Sequence, residues 1–540
     1  MSTPQSKLHR REHRLRSRLA LLLAASLIAV ISALDAGSSF AANSAGKPVG
    51  NINFAIGGDI VKFDPAFAYD YQTTPVVSQA CEGLLRFTPK GRLLPNLASS
   101  WKQVNATTFV YNIRKNVKFQ DGSPLTAEDV RFSLNRYKDP KVGAYASSYY
   151  TRVKSIDVTG PSQVTIRLTG PYSQWQYVPA MTAAAAIVSK AFVQKHPKDL
   201  GQPGVGIICT GPFAFASWQR GQSVVLKRFD GYWNKNRIPK VAQVTFKVVE
   251  DESTLIAGLN TGAIDGTVYA LDGRMAKGLS GPVRIWRSPS SYVAGLLFNT
   301  QRKPWSDARV RRAFAMALDI PGIIKSAYNG YGRATKSPAP PIMFTYSKQQ
   351  YEKAYRALPL FKHDVDAAKA LVKAAGAEGA HGTLMISTPT DKLVGVIVQQ
   401  TAAQIGIKLT LQTVPFAKKT AIEYSPGSRK YDLDLFSALG DTSDPIGFLY
   451  IQFASAAPIS NVSQYKNALV DKYLNASWNA PTPTAGVTAL TKAQAIIVRD
   501  EPWIPFIAAD SLVPLNKRLT GWQPSTFSYW GSWAADLSGT

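Results

Sequence analysis

The sequence predicts an α/β fold that is divided into two or three lobes. Its 540 residues exceed what one hydrophobic core normally serves, and chains of this length usually divide into domains. Residues 394–414 read as a helix (VGVIVQQTAAQ), a glycine and a strand (IKLTL), which together are half of an α/β unit. With 45% hydrophobic and 11% aromatic residues, the chain can bury large cores.

Strands are predicted throughout the first half of the chain. Residues 49–98 read as short apolar strands separated by Gly/Pro turns. Residues 108–114 and 162–168 alternate apolar and polar side chains with the period of two that half-buried strands show. After a glycine-rich connection, residues 224–229 and 244–249 predict two further strands.

Two helices have clear start signals in the sequence. Thr126 is a good N-cap residue, and Glu128 and Asp129 after it favour the positive end of a helix. Asp307 begins the amphipathic stretch DARVRRAFAMALDI, in which an apolar face is predicted to pack into the core and an arginine-rich back to face solvent. The apolar face consists of Val310, Ala313, Phe314, Ala317 and Leu318, and the back of Arg309, Arg311 and Arg312.

The stretch SALGDTSDPIGF, residues 437–448, follows a predicted strand at 432–436. Because open α/β sheets bind ligands outside the carboxyl ends of their strands, we expect Asp441 on a loop at such an edge. Asp441 and Asp444 could form a catalytic pair, part of a metal site, a helix-capping turn or an anchor for a cationic ligand. Asp444 precedes Pro445, which favours extended backbone, so its side chain is predicted mainly to accept nearby backbone N–H groups and shape the loop.

The first 41 residues are predicted to be a cleavable signal peptide. Six Lys and Arg residues precede an uncharged apolar run at 19–34, and Ser39 and Ala41 place small residues at the two positions that a signal peptidase reads. The run is shorter than the roughly 20 residues of a membrane-spanning helix. We therefore expect a periplasmic protein that begins near Ala42, with an uncleaved membrane anchor as the alternative.

The net charge of +27 does not indicate a nucleic-acid-binding protein. Basic residues are dispersed along the chain and form no block of five or more like charges, whereas nucleic-acid binding needs a concentrated basic patch.

Cys81 and Cys209 are the only cysteines. In an oxidising compartment they could form a disulfide or remain two separate buried thiols.

Motifs for catalysis, metals and cofactors are absent from the sequence. His196, His363 and His381 are isolated and have no partner at metal-ligand spacing, and no G-x-S-x-G, H-E-x-x-H or G-x-x-x-x-G-K-[ST] motif occurs. We predict no cofactor, no metal site and no catalytic residues. An exported hydrolase using the carboxylates of Asp441 and Asp444 is the alternative to an exported binding protein, because a glycosidase needs only two acids placed by the fold.

Five segments in the correct order resemble the peptide/opine/nickel family of bacterial extracellular solute-binding proteins, solute-binding family 5, whose members serve ABC importers. The resemblance runs over nearly the whole mature chain. The segments are CEGLL with LPNLASSW (residues 81–85 and 94–101), VKFQDGSPLTAEDV (117–130), TGPF (210–213), RFDGYW (228–233) and FNT with DARVRRA (298–300 and 307–313).

The resemblance implies a two-lobed clam-shell of α/β lobes, of the type II-like class with an extra subdomain, built from mixed β-sheets with flanking helices. The lobes would close around a small-molecule or peptide ligand, and the closed monomer would dock on the permease subunits of an ABC importer and their ATPase. Lobe I would comprise residues 42–85, 210–288 and 497–540, and lobe II residues 289–496. The extra subdomain of lobe I would comprise residues 86–209.

The resemblance also implies a set of ligand-binding residues. Asp441 matches the aspartate that holds a peptide's free ammonium group in relatives. Dipeptide-binding relatives use an arginine to hold the ligand carboxylate, but none stands in the matching region, residues 387–390. Relatives also often have an aromatic residue just before the motif at 440–445, where this chain has Ala438 and Leu439. Longer peptides, or another cationic or zwitterionic solute, therefore fit better than a dipeptide. The expected ligand-binding residues are Tyr69, Tyr292, Thr388, Asp441, Asp444 and Phe448.

Both cysteines fall in motifs that the resemblance assigns to one lobe. Cys81 replaces the usual tyrosine of its motif, and Cys209 directly precedes the Thr-Gly-Pro loop. The resemblance thereby favours a Cys81–Cys209 disulfide.

Overall fold

A mixed β-sheet of eleven strands organises the part of the chain that the computed structural model describes. The described residues are 46–540 without Tyr69, Tyr269, Ala270, Asp441 and Ser443. The predicted signal peptide, residues 1–41, lies outside them. None of the helices formed by these residues combines the length and apolar character needed to cross a bilayer.

Strands and helices are interspersed along the chain. The strands are β1 (Val49–Ile56), β2 (Leu85–Phe87), β3 (Leu93–Pro95), β4 (Ala98–Asn105), β5 (Thr108–Ile113), β6 (Val153–Gly160), β7 (Gln163–Leu168), β8 (Phe213–Gln219), β9 (Ser223–Arg228), β10 (Val241–Val248), β11 (Gly266–Thr267), β12 (Val283–Phe298), β13 (Gly332–Arg333), β14 (His381–Ile386), β15 (Lys408–Thr413), β16 (Leu433–Ala438), β17 (Trp503–Asn516), β18 (Leu519–Thr520) and β19 (Ser538–Gly539). The α-helices are α1 (Thr73–Ala80), α2 (Ala127–Lys138), α3 (Thr182–Ala185), α4 (Lys190–Lys195), α5 (Glu252–Thr261), α6 (Gly273–Lys277), α7 (Ala308–Ala317), α8 (Ile320–Ala327), α9 (Lys348–Arg356), α10 (Val365–Ala374), α11 (Pro389–Gln404), α12 (Phe416–Glu423), α13 (Pro445–Phe453), α14 (Ala468–Trp478) and α15 (Pro483–Asp500).

Two long strands, β12 and β17, run through both halves of the large sheet. The order is β15-β14-β16-β12-β17-β11-β1-β10-β9-β8, and β13 pairs with β17. The first half therefore contains β1 and β8 to β11, and the second half contains β14 to β16. Between Pro289 and Val293 the β12–β17 register shifts, and β12 pairs with β16 only from Val293 onwards. The change from one half to the other thus coincides with an irregularity in β12.

The second half of the sheet is covered by helices on both faces. Along β14, Leu384 and Ile386 belong to one hydrophobic cluster and Met385 to the other, which is the period of two expected of a strand buried on both sides. Helices α7, α8, α10 and α11 contribute to the first cluster, and α9, α13, α14 and α15 to the second. The predicted helix and strand at 394–414 are confirmed as α11 and β15, and β15 pairs in parallel with β14.

The first half of the sheet shares one large core with a separate four-stranded antiparallel sheet. That smaller sheet has the order β4-β5-β7-β6, and α2 packs against β6 and β7. A disulfide joins Cys81, at the end of α1, to Cys209, with 5.0 Å between the Cα atoms. Both cysteines are buried, and the backbone N–H of Gln120 donates to the carbonyl of Cys209 at 2.9 Å. The disulfide therefore ties the end of residues 86–209 to α1.

The predicted start signals are confirmed, because capping depends on local sequence. Thr126 and Asp129 form a capping box at α2, and the side chain of Asp307 accepts from the backbone N–H of Arg309 at the start of α7. The predicted apolar face of α7 is fully buried.

Two predictions about local structure are wrong. Residues 49–98 were expected to be strands and turns, yet they include α1, all of whose residues are buried; burial against the core outweighs the weak helix propensity of TTPVVSQA. The amphipathic pattern predicts Arg311 on the solvated back of α7, but Arg311 is buried. Its guanidinium donates to the carbonyls of Trp305 and Asp500 at 2.8 Å each.

Candidate ligand-binding cleft

A cavity of about 1110 Å³ lies between the two halves of the sheet. Residues from both halves line it, together with residues of the two shared strands, β12 and β17. Lining residues from the first half and its smaller sheet include Asp70, Tyr71, Tyr145, Tyr149, Tyr172, Gln174, Asp272, Trp522 and Tyr529, and those from the second half include Ser387, Thr388, Thr390, Asp391, Phe416, Lys419, Glu423, Ser437, Gly440, Thr442, Phe448 and Gln452.

Three of the six expected ligand-binding residues line this cavity. These are Tyr292 in the irregular part of β12, Thr388 at the start of α11, and Phe448 in α13. Tyr69 and Asp441 lie outside the described residues. Asp444 is fully buried and is not among the described residues that line the cavity.

The described residues on either side of position 441, Gly440 and Thr442, both line the cavity. The hydroxyl of Ser291 donates to the carbonyl of Gly440 at 3.3 Å, and Ser291 belongs to the irregular part of β12. Thr442 is 6% exposed and lines the cavity. The loop at the carboxyl end of β16 therefore borders the cavity, as expected for an open α/β sheet.

Asp444 is the N-cap of α13 and the centre of a buried hydrogen-bond network. Its carboxylate accepts from the backbone N–H of Ile446 at 2.7 Å, from Nε2 of Gln174 at 2.7 Å and from the hydroxyl of Tyr346. Gln174 belongs to residues 86–209, so this network joins that segment to the second half of the sheet. The side chain of Asp444 satisfies a backbone N–H group, as the sequence predicted.

Burial raises the pKa of Asp444 to about 6, against the opposing effect of the hydrogen bonds from Tyr346, Ile446 and Gln174. In the folded protein Asp444 keeps its proton up to about pH 6, whereas the unfolded chain releases it near pH 4. Its contribution to stability is therefore complete below about pH 4 and is lost as the pH rises through about 6.

This titration predicts a pH-dependent effect of the isosteric substitution Asp444→Asn. Because asparagine does not titrate, we expect the stability of the parent relative to the variant to fall by up to about 3 kcal/mol between pH 4 and pH 7. Urea unfolding at a series of pH values measures this difference. Asp366→Asn, at an exposed aspartate of α10, is the control and should show no such fall. A parent–variant difference that is flat or rises with pH would contradict the assignment.

Thr388 and Asp391 organise the N-terminus of α11 at the cavity wall. They form a capping box, in which Oδ2 of Asp391 also accepts from the backbone N–H groups of Ser387 and Thr388 at 3.0 Å. The hydroxyl of Thr390 reaches Oδ2 of Asp272 at 3.5 Å, which joins the second half of the sheet to α6. The hydroxyl of Thr388 thus caps α11, and the carboxylate of Asp391 lies next to Thr388 in the cavity wall.

Lys419 on α12 is enclosed by oxygen atoms. Its ammonium group donates to Glu423 and, at 3.1 Å, to the carbonyl of Leu435, and it lies 3.0 Å from Oδ1 of Asp434. Although burial alone would lower the pKa of Lys419, the carboxylates of Asp434 and Glu423 raise it above its ordinary value. Lys419 is therefore charged and already has its counterions.

Sequence reasoning missed several residues of the cavity wall. Gln452 is 6% exposed, lines the cavity, and its side chain has no hydrogen-bond partner among the residues that can be described. Thr442 is also 6% exposed, lines the cavity and has no side-chain hydrogen-bond partner among the described residues. By contrast, Lys419 and Glu423 form an ion pair with each other, and Asp272 contacts the hydroxyl of Thr390. The sequence pattern around Gln452 does not predict a ligand contact, because a glutamine in a helix is usually exposed to solvent. The wall is also rich in aromatic side chains, among them Tyr145, Tyr149, Tyr172, Tyr328, Tyr331, Phe416, Trp478, Trp522, Tyr529 and Trp530.

The geometry does not support a carboxylate pair made of Asp441 and Asp444. Asp444 is committed to three donors beneath the cavity wall, so it has no access to a substrate bond. Among the residues from 46 onwards that the structure describes, no group of three or more His, Cys, Asp or Glu side chains is placed to hold a metal ion.

Comparison with known proteins identifies the family. The model of bacterial extracellular solute-binding proteins, family 5 (middle region), matches residues 92–458. The glutathione-binding protein GsiB of Shigella dysenteriae is 26% identical over 506 residues, which covers 92% of this chain and 94% of GsiB. Among solved structures, the ABC transporter substrate-binding protein CtaP of Listeria monocytogenes has a TM-score of 0.79 at 20% identity and covers 92% of this chain and 100% of its own. The periplasmic binding protein DppA of Helicobacter pylori, in complex with the peptide STSA, has a TM-score of 0.75 at 22% identity, with 91% and 98% of the two chains covered.

These similarities account for the two halves of the sheet and the cavity between them. The structural neighbours share the two-lobed fold of periplasmic binding proteins over nearly their whole length, so the predicted clam-shell is confirmed. The family model covers more than half of the chain. The chain belongs to family 5 of the bacterial extracellular solute-binding proteins.

Proposed function

We propose that this protein is the substrate-binding receptor of an ABC importer, which captures a peptide-like or other cationic or zwitterionic solute in the cleft and delivers it to a membrane permease. The observation that carries the proposal is the cavity between the two lobes, whose wall includes the buried side chains of Gln452 and Thr442 without partners among the described residues. The polar atoms of both side chains keep some accessible surface, so a ligand in the cavity can reach them and form hydrogen bonds.

The size of the cavity supports a ligand larger than a dipeptide. At about 1110 Å³ it exceeds the roughly 300 to 1,000 Å³ of pockets that hold drug-sized ligands. Its wall combines aromatic faces with a few polar groups, which suits an extended chain of alternating apolar and polar character. Asp441 remains our proposed anchor for the ammonium group, with Tyr69, Tyr292, Thr388 and Phe448 as further ligand contacts.

The division into lobes is part of this proposal. We assign residues 42–85, 210–288 and 497–540 to lobe I, residues 86–209 to its extra subdomain and residues 289–496 to lobe II. The register shift of β12 after Pro289 supports the boundary at 288/289. The strand β17 contributes to the sheet of both lobes. We further propose that residues 1–41 direct export to the periplasm and are removed, and that the receptor acts as a monomer.

The test is to identify the solute that accompanies the protein. Mass spectrometry of the supernatant after denaturation of purified protein should reveal a small molecule. Returned to the emptied protein, that molecule should raise the melting temperature and remain chemically unchanged. Conversion of the solute into products would instead support an exported hydrolase, and a protein that carries and binds no solute would contradict the proposal.

Gln452 provides a specific test of the cavity wall. Gln452→Met keeps the length of the side chain but removes its amide, so we expect the affinity for the recovered solute to fall about 2- to 13-fold, the effect of one hydrogen bond of about 0.5 to 1.5 kcal/mol. Isothermal titration calorimetry measures the change. Gln404→Met, at an exposed glutamine of α11 away from the cavity, should leave the affinity unchanged. Equal affinities for the Gln452 variant and the parent would exclude Gln452 as a ligand contact.

A further inference from the structure

The cavity wall has an excess of negative charge, although the protein as a whole carries +27. Among the described lining residues, the acids are Asp70, Asp272, Asp391, Glu423 and Asp510, and the only cation is Lys419. A cleft lined by one sign of charge attracts the opposite sign, and low-dielectric walls strengthen the effect.

The one lysine in this wall is not free to hold an anionic ligand. An ammonium group has three donors, and those of Lys419 face Glu423, Asp434 and the carbonyl of Leu435. A ligand carboxylate would have to displace a buried carboxylate, which would then be left without its counterion. Breaking such a buried pair is strongly unfavourable.

Asp70 and Asp391 form no ion pair with a described residue, and Asp272 shares the guanidinium of Arg274 with Glu252. Oδ2 of Asp272 is 3.7 Å from the guanidinium of Arg274, which bonds Glu252 at 2.7 Å. The carboxylate of Asp391 accepts only from neutral donors, the backbone N–H groups of Ser387 and Thr388, while the backbone N–H of Asp391 donates to the hydroxyl oxygen of Thr388. Oδ2 of Asp70 is buried and has no hydrogen-bond partner in the described part of the chain. By contrast, Asp510 is paired with Arg287 at 2.5 Å and Glu423 with Lys419.

Asp272 and Asp391 lie near one another on opposite sides of the cleft. The hydroxyl of Thr390, the residue before Asp391, contacts Asp272. Desolvation raises the pKa of Tyr292, and the charges of Asp391 and Asp272 raise it further, against the opposing effects of the hydrogen bond with Ser437 and the charge of Lys419. An aromatic ring beside two carboxylates is a favourable environment for an ammonium or guanidinium group, because the ring face also attracts cations.

We propose that the solute carries a net positive charge, such as a peptide with basic side chains, and that Asp272 and Asp391 bind one of its cationic groups in addition to the group at Asp441. This inference rests on the proposed function and narrows its ligand class. It separates this protein from the relatives named for glutathione, since glutathione carries two carboxylates and one ammonium group.

The experiment compares matched peptides by calorimetry on protein freed of its solute. The probes are the pentapeptides Ala-Lys-Ala-Lys-Ala, Ala-Glu-Ala-Glu-Ala and penta-alanine, together with glutathione. We expect the lysine peptide to bind at least tenfold more tightly than the glutamate peptide and glutathione, and its advantage to shrink at high salt. The double variant Asp272→Asn/Asp391→Asn should lose most of this advantage while remaining folded, because the asparagine oxygens can still accept the capping N–H groups of α6 and α11, and Asp366→Asn should keep the advantage.

Several results would overturn the inference. Binding of the glutamate peptide or glutathione as tightly as the lysine peptide would do so, and so would an unchanged preference in a folded double variant. If no probe binds, the net charge of the solute released by denaturation decides: a cationic solute supports the inference and an anionic one refutes it. If no probe binds and no solute is released, the proposed function itself fails and the inference falls with it.

Discussion

Asp441→Asn is expected to lower the affinity for the solute by roughly 30-fold to several thousand-fold. This range corresponds to the about 2 to 5 kcal/mol that removal of one partner of a buried, hydrogen-bonded charge pair typically costs. Position 441 falls between Gly440 and Thr442, which both line the cavity. The family resemblance places an ammonium-binding aspartate at this position. A carboxylate and an ammonium group in a closed cleft form a charge-assisted hydrogen bond.

Asp441→Asn should change the affinity for the solute without changing the stability of the empty protein. Asparagine has nearly the same shape as aspartate, so the melting temperature of the empty protein should change little. Titration calorimetry with the recovered solute measures the affinity, and Asp366→Asn controls for loss of one negative charge elsewhere. An affinity within threefold of the parent would show that the ammonium anchor is another residue, and the carboxylates of Asp272 and Asp391 would be the next candidates.

Cys81→Ala/Cys209→Ala is expected to lower the free energy of unfolding by about 4 to 5 kcal/mol, because the disulfide closes a long loop and restricts the unfolded chain. The two cysteines are separated by 128 residues. In the folded protein, residues 81 and 209 should keep their surroundings, since the N–H of Gly211 donates to the carbonyl of Ala80 at 2.9 Å and Gln120 donates to Cys209. The loss should therefore appear in stability far more than in ligand affinity.

Urea unfolding of the parent, with and without reductant, and of the double variant measures this contribution. The reduced parent and the double variant should unfold at similar, lower urea concentrations. Thiol titration of the denatured, unreduced parent should find no free thiol. Two thiols per chain, or equal stability of parent and variant, would refute the disulfide's contribution.

Part of the ligand-binding cleft was accessible to sequence reasoning and part was not. Tyr292, Thr388 and Phe448 were expected at the ligand and do line the cavity. Thr388 and Phe448 lie in segments that could be compared with relatives, at residues 387–390 and 437–448, whereas no motif surrounds Tyr292. Asp444 was recognised as a residue that shapes the loop, because an aspartate before proline suggests a local bonding role. Its partners Gln174 and Tyr346 were not predicted. They are distant in the sequence, and only folding brings them to Asp444.

The sequence by itself determined the features that depend on neighbouring residues. These include the N-caps at Thr126 and Asp307, the period-two strands and the family motifs, since capping and periodicity involve residues only a few positions apart. The tertiary structure decided which polar groups are buried and what they face. Arg311 belongs to an arginine-rich segment, yet its side chain is buried and donates to a backbone carbonyl. Lys419 lies in the cavity wall, yet its ammonium group is already paired with the carboxylates of Glu423 and Asp434. Burial and charge pairing depend on long-range contacts, so the proposal that Asp272 and Asp391 bind a second cationic group of the solute could be reached only from the fold.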